Sequence, residues 1–361
     1  MNSAAQRQVL RKTIAHLLGL CGLVGGVGAA AVAPAVYWQP NRALELRLPP
    51  AAQSGFEGVA CVDDAARLLV LLLAAGEDGW SCTSRRERER VIEGLTNFLL
   101  RMQTDDGRFC NFVLDWDGTP NDSGPTSFPG GLWWTARALR ALAWASALRG
   151  SAAAAEGFRR GIAATSFTDA AGASVSGRWA EESMLVWAAL DYETMHAAPS
   201  GLAIQSWAQG LLDRTEGAPV PDTVGDRGTP HLWGRSQELV LARVASRFHD
   251  DPALSLARQS AHEFLRPMAA SGFRGRHTTT PYEVSSVWRN LRVVGGFAAD
   301  AELAAAAAGA ARWFWGDNAA GVPLIDAQTG RASDGLDGDR PSLNSGAEAN
   351  IETLFVTRTY S

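Results

Sequence analysis

The chain has 361 residues, 46% of them hydrophobic, enough to bury a large core in one or two domains. Its net charge is −5 and its basic residues are scattered, so no nucleic-acid footprint is present; the run Arg85-Arg86-Glu87-Arg88-Glu89-Arg90 alternates sign as a solvated helix face does. Cys21, Cys61, Cys82 and Cys110 lack the paired spacing of a zinc site, and a chain this long needs no disulfide staples; free thiols are expected.

In chain order, Arg7, Arg11 and Lys12 precede an apolar, Gly/Ala-rich run from Thr13 to Val36. It reads either as a signal peptide or uncleaved anchor, or as a folded first helix, His16 to Leu23, followed by an extended segment ending at Tyr37. His16 within the run and glycines at 25, 26 and 28 weaken a spanning helix. Residues 1–40 are set apart as this segment and 41–361 as one domain. A cytoplasmic location is preferred, and membrane association would come only through the segment.

From Phe56 to Arg67, two adjacent carboxylates, Asp63 and Asp64, open an unbroken apolar helix that runs on through Leu68 to Ala75. One of them caps the first turn; the other, and Arg67, have no structural task. Helical periodicity then marks Arg85 to Gln103, and Arg108 to Leu114 alternates as a small strand does. Further helices are expected over Leu132–Leu148, Ala152–Ala164, Arg178–His196, Leu202–Arg214, Leu232–Phe248, Pro252–Arg266, Pro281–Val294, Ala298–Trp315 and Ser345–Thr357. About twelve helices result, joined alternately by short and long connections. That alternation fits an all-α fold, an (α/α)6 toroid of six helical hairpins with at most a small β-hairpin in its loops. The long loops would meet at one end, bringing Asp63, Asp64, Trp133, Trp134, Glu181, Glu182, Trp233, Glu283 and Glu348 to the rim of one funnel.

Four stretches carry a resemblance: Cys61-Val-Asp-Asp-Ala-Ala-Arg67, Met102-Gln-Thr-Asp-Asp-Gly-Arg-Phe-Cys-Asn-Phe112, Trp313-Phe-Trp-Gly-Asp-Asn318 with Asp334-Gly-Leu336, and Asn344-Ser-Gly-Ala-Glu-Ala-Asn-Ile-Glu352. In this order they resemble the bacterial six-hairpin glycosidase-like family from about Gly55 to the C-terminus. The resemblance implies an (α/α)6 toroid and a carbohydrate ligand, with members described as glycoside hydrolases or as proteins associated with sugar transfer.

Hydrolysing a glycosidic bond takes one carboxylic acid to protonate the leaving oxygen and a second carboxylate on the opposite face. Asp64 and Glu348 are the expected pair, with Asp63 orienting. By analogy with other (α/α)6 hydrolases, Glu181 or Glu182 is the alternative acid, although first-turn helix-dipole compensation explains both. Trp133, Trp134 and Trp233 are candidate stacking platforms, and Arg67, His231, Glu283 and Asn350 candidate polar contacts to an oligo- or polysaccharide. Asp115, Asp117 and Asp122 read as turn residues. Asp334, Asp337 and Asp339 have the composition of a calcium loop but are more often solvated. No motif calls for a metal or organic cofactor. Three rival readings stay open: a non-catalytic glycan-binding or glycosyltransferase-associated protein, a sugar epimerase or phosphorylase, and a terpenoid-cyclase-like toroid suggested by Gln103 to Phe109 with Asp63-Asp64. Two carboxylates facing each other across an open cleft, about 5 to 9.5 Å apart, would favour hydrolysis over binding alone.

Overall fold

The computed structural model describes residues 4–37, 39–40, 46–47, 57–76, 84–165 and 177–358. Phe56 and Cys82 lie outside them. Twelve helical arms form two concentric layers among the described residues. The inner layer is α2 (Val62–Ala74), α4 (Leu132–Arg149), α6 (Trp179–His196), α8 (Gln237–Phe248), α11 (Pro281–Phe297) and α13 (Ala347–Arg358). Each packs on the next, and α13 closes the ring against α2. The outer layer is α1 (Ala4–Gly19), α3 (Arg85–Arg101), α5 (Ala152–Ala163), α7 (Ile204–Arg214), the arm α9 (Asp251–Ser260) to α10 (Arg266–Ala270), and α12 (Ala301–Arg312). The all-α, six-hairpin toroid read from the sequence is the fold observed.

The inner helices are buried on nearly every face because both sides are covered. In α2 every residue from Asp64 to Leu73 is buried, and in α4 Ala136, Ala138, Leu139, Ala141, Leu142, Ala143 and Ala145 are solvent-free. Outer helices keep one wet face: in α5 the buried set is Ala154, Gly157, Phe158, Gly161 and Ile162, a helical stripe. The start of α11 is set locally, with Pro281 in the first turn and a capping box in which Thr280 and Glu283 satisfy each other's backbone.

Several boundaries differ from the sequence reading. The first helix is Ala4–Gly19, not His16–Leu23; its buried Leu10, Ile14 and Leu17 make it the outer partner of α13. The segment after it is a hairpin, with β1 (Cys21–Val24) antiparallel to β2 (Ala31–Pro34). In place of at most a small hairpin, the described residues hold four small sheets. Besides β1 and β2 they are β3 (Gln39–Pro40) with β4 (Leu46–Arg47), β5 (Ala60–Cys61) with β6 (Phe112–Val113), and β7 (Thr278–Thr279), β8 (Leu336–Asp337) and β9 (Arg340–Pro341). The helix expected from Leu232 starts at Gln237, because the preceding residues form the turns that carry His231 and Trp233. The arm expected over Pro252–Arg266 begins at Asp251, widens into one π turn at Ala261–Leu265 and ends at Ala270. Within the arginine-rich run Arg88 is buried, its Nη1 donating to the Gly76 carbonyl at 2.9 Å. Cys21, Cys61 and Cys110 are free thiols. No described helix is long and apolar enough to cross a membrane.

If α1 is part of the packed wall, Leu17→Ala should lower unfolding free energy by about 2–5 kcal/mol in urea titrations. A change under about 0.5 kcal/mol would show that Leu17 is not packed in solution.

Candidate active site

The first turn of α2 is capped from elsewhere, which frees both aspartates. Cys61 Sγ accepts from the Asp64 N–H at 3.4 Å, Asn111 Oδ1 from the Asp63 N–H at 3.2 Å, and the Asn111 carbonyl from the Val62 N–H at 2.8 Å. The cap expected of Asp63 or Asp64 is therefore made by neither side chain. The β5–β6 pairing brings Asn111 to the helix start, and Gly58 permits it: a Cβ there would stand 2.1 Å from the Val113 carbonyl oxygen. Both carboxyls are then available to a cavity of about 620 Å³, lined also by Tyr37, Glu57, Arg67, Asp334 and Glu348.

Arg67, one turn deeper, ties this group together. Its Nη2 donates to Asp64 Oδ1 at 2.7 Å and to Glu348 Oε2 at 2.9 Å, and its Nη1 to Glu352 Oε1 at 3.1 Å. Those first two oxygens can thus be no further apart than 2.7 plus 2.9 Å. The guanidinium also lies 4.9 Å from the Tyr282 ring centre. Asp63 pairs with Arg137, which sits 5.1 Å from the same ring centre. Both aspartates thus face the cavity, Asp63 chiefly on Arg137 and Asp64 on Arg67.

The environments push the two neighbours in opposite directions. Burial, opposed by Arg67 and reinforced by Glu348 and Asp63, lifts Asp64 to about 7. Burial would raise Asp63 as well, but Arg137 and Arg67 outweigh it and hold that carboxyl below its ordinary value. Asp334 is raised to about 6 by burial and by the Glu348 charge, against one hydrogen bond from the Gly346 N–H at 2.7 Å. Glu352 is fully buried yet kept low, since Arg289 and Arg67 overcome the burial and Ser285 Oγ donates at 2.6 Å.

Below this layer the bore is filled by charge. Arg289 on α11 pairs with Glu352, while Asp191 on α6 takes Arg140 at 2.7 Å, Trp144 Nε1 at 2.7 Å and Arg243 of α8. Burial lowers Arg289 to about 10, with Arg140, Arg67 and Arg137 adding and Glu352 opposing. Every inner helix thus contributes a charged side chain to the axis.

The remaining candidates divide by where they face. Trp133, His231 and Trp233 form one aromatic group, with His231 stacked on Trp233 at 4.0 Å and Trp133 4.9 Å from Trp233. It adjoins the cavity through Arg137, which is 5.9 Å from the Trp133 ring. Burial lowers His231 despite Asp222, 3.6 Å away. Trp134 is not a platform: it is buried, edge-on to Phe128, and its Nε1 donates to the Phe109 carbonyl at 2.7 Å. Glu182 is fully buried between α6 and α7, accepting from Trp207 Nε1 at 2.9 Å, and Glu181 pairs with Arg178 at 3.1 Å; neither lines the cavity. Glu283 serves the capping box and Arg276, and Asn350 is buried, holding the Ala332 N–H, Ser345 Oγ and Gly346 carbonyl. Asp337 lies in the exposed β8–β9 hairpin while Asp334 lines the cavity, so the three aspartates of that loop do not converge; no metal-binding cluster occurs among the described residues. The reading missed Arg137, Tyr282, Arg289, Asp334 and Glu352. Two of these carried a signal: Arg137 follows Trp133, and Glu352 follows Glu348, by four residues, one helical turn on the same face.

No protein-family model matches the chain, and no curated protein matches it by sequence. Solved structures do. A sugar epimerase from a ruminal bacterium superposes with a TM-score of 0.67 at 12% identity, covering 98% of each chain. A family 76 glycoside hydrolase from a bovine Bacteroides thetaiotaomicron strain gives 0.65 at 10% identity, over 99% of this chain and 79% of that one. The endoglucanase CelQ from Clostridium thermocellum, complexed with cellotriose, gives 0.59 at 11% identity, over 98% and 70%. The chain shares the (α/α)6 six-hairpin fold of these structures. In this (α/α)6 toroid the cavity lies at the mouth formed by the inner-helix N-termini, where Asp63, Asp64, Tyr282 and Glu348 all sit in first turns.

Asp64 is raised on folding, so its stabilising contribution is complete below 3.8 and is lost as pH rises through about 7. Asp64→Asn removes that titration. Its melting temperature relative to wild type should climb between about pH 5 and pH 8; a constant difference across that range would show that Asp64 ionises normally.

Proposed function

We propose that the protein is a carbohydrate-active enzyme that hydrolyses glycosidic bonds of an oligo- or polysaccharide. One observation carries the reading: adjacent carboxyls on one cavity wall, Asp64 and Asp63, are driven apart in acidity, and a third, Glu348, shares a guanidinium with the first. A carboxylic acid kept protonated near neutrality beside an ionised carboxylate is the pairing glycoside hydrolysis requires. Asp64 is the proton donor, and Glu348, with 42% of its side chain exposed, is the carboxylate that meets the sugar. Asp63 and Arg137 hold the wall. Trp133 and Trp233 offer stacking faces beyond Arg137 for a neighbouring sugar.

The fold is shared by hydrolases and epimerases, so it supports carbohydrate chemistry without choosing between them. Hydrolysis is preferred because the lining described here offers carboxyls and no histidine to abstract a carbon-bound proton; His231 stands outside it. The glycan-binding alternative differs in outcome. Purified protein should release reducing ends from some of a panel of oligosaccharides, and Asp64→Asn and Glu348→Gln should each cut the rate by about 10²–10⁴-fold while binding persists. Activity should fall as pH rises above about 7, as Asp64 loses its proton. Binding without release in wild type would assign the protein to glycan binding instead.

A further inference from the structure

Asp334 has no place in the chemistry above, and its surroundings are unlike those of a turn aspartate. It precedes α13 in a loop pinned on both sides. β8, two residues on, pairs with β7 beside the start of α11, and the Asp334 N–H donates to the Asn344 carbonyl at 3.0 Å. Gly335, at φ +140°, passes so close that a Cβ would stand 2.3 Å from the Thr279 carbonyl oxygen. This anchoring presents the carboxyl to the cavity. Oδ1 accepts from the Gly346 N–H; Oδ2 forms no hydrogen bond among the described residues. Glu348 is in the same condition, with Oε2 on Arg67 and Oε1 without a donor. Two acceptor oxygens without donors therefore face one cavity from residues close enough to repel each other.

We propose that Asp334 and Glu348 form a hydroxyl-binding wall that takes two adjacent hydroxyls of an uncharged sugar ring, and that the site discriminates against acidic sugars. The inference rests on the saccharide reading above. Sugar hydroxyls donate to the two open oxygens in place of water. A uronate would not: its carboxylate would meet Glu57, Asp63, Asp334 and Glu348, with Arg67 the lining guanidinium and already committed to three carboxyls. Asp334 accepts best when ionised. The titratable and charged groups sharing the cavity with it are Glu348 on α13, Asp63, Asp64 and Arg67 on α2, Cys61 at the start of that helix, and Tyr37 and Glu57 from the segment before it. Since burial and Glu348 place Asp334 at about 6, sugar affinity should fall as pH drops through that value, the opposite sense to the loss of activity expected from Asp64.

The test is calorimetric binding of cello-, manno- and xylo-oligosaccharides of two to four units, with oligogalacturonates of equal length, to wild type and Asp334→Asn at about pH 5 and pH 7.5. Wild type should bind a neutral series at the higher pH, bind it about tenfold more weakly at the lower, and bind galacturonates at least tenfold more weakly still. Asp334→Asn should lose about tenfold at the higher pH and show no acid limb, with a melting temperature no lower than that of wild type. A variant of wild-type affinity, an acid limb that survives the substitution, or preference for galacturonates would overturn the wall while leaving hydrolysis standing. Binding of none of these sugars by folded wild type would overturn both.

Discussion

The site depends on the desolvated guanidinium of Arg67. It is buried, and it holds Asp64 on its own helix and Glu348 and Glu352 on the last one. Because α2 and α13 are the first and last inner helices, this clamp is also where the toroid closes. Breaking one partner of such a cluster leaves charges buried without compensation, a larger cost than any surface pair could repay. The clamp sets protonation too. Arg67 is shared among three carboxyls and cannot hold all of them ionised, so the most enclosed cavity carboxyl, Asp64, keeps its proton.

The bore beneath repeats the theme. Arg137, Arg140, Arg243 and Arg289 face Asp63, Asp191 and Glu352 across the axis, in a place where apolar residues would pack at less electrostatic cost. A polar bore has a consequence an apolar one lacks. It fixes the directions of the first-turn side chains above it, and a preorganised wall need not reorient when a hydroxylated ligand arrives. The aromatic group of Trp133, His231 and Trp233 stands beside this wall, joined to it by the Arg137 contacts.

The fold was legible because helical periodicity recurs along the chain and because long loops alternate with short ones. Site residues were legible only in part, for a geometric reason. Proximity to an inner-helix N-terminus fixes height along the barrel but not direction, and consecutive helical residues diverge by about 100°. Asp64 and Glu348 stand at the right height and face inward; Trp134, Glu182 and Asn350 stand at the same height and face the outer layer or the loops. The release of Asp63 and Asp64 from capping could be read only in part, since Cys61 caps Asp64 locally but the acceptor for the Asp63 N–H arrives from Asn111, 48 residues away. Asp334 was hidden by its neighbours: Asp334-Gly335 has the composition of a turn, and only the β7–β8 pairing turns it to the cavity.

The most direct test of the account is a crystal structure of Asp64→Asn soaked with the neutral oligosaccharide that binds best. The account requires a sugar ring in the cavity, with hydroxyl or glycosidic oxygens within about 3.2 Å of Glu348 and the Arg67 clamp unchanged. A sugar seated elsewhere on the surface, with this cavity empty, would contradict it.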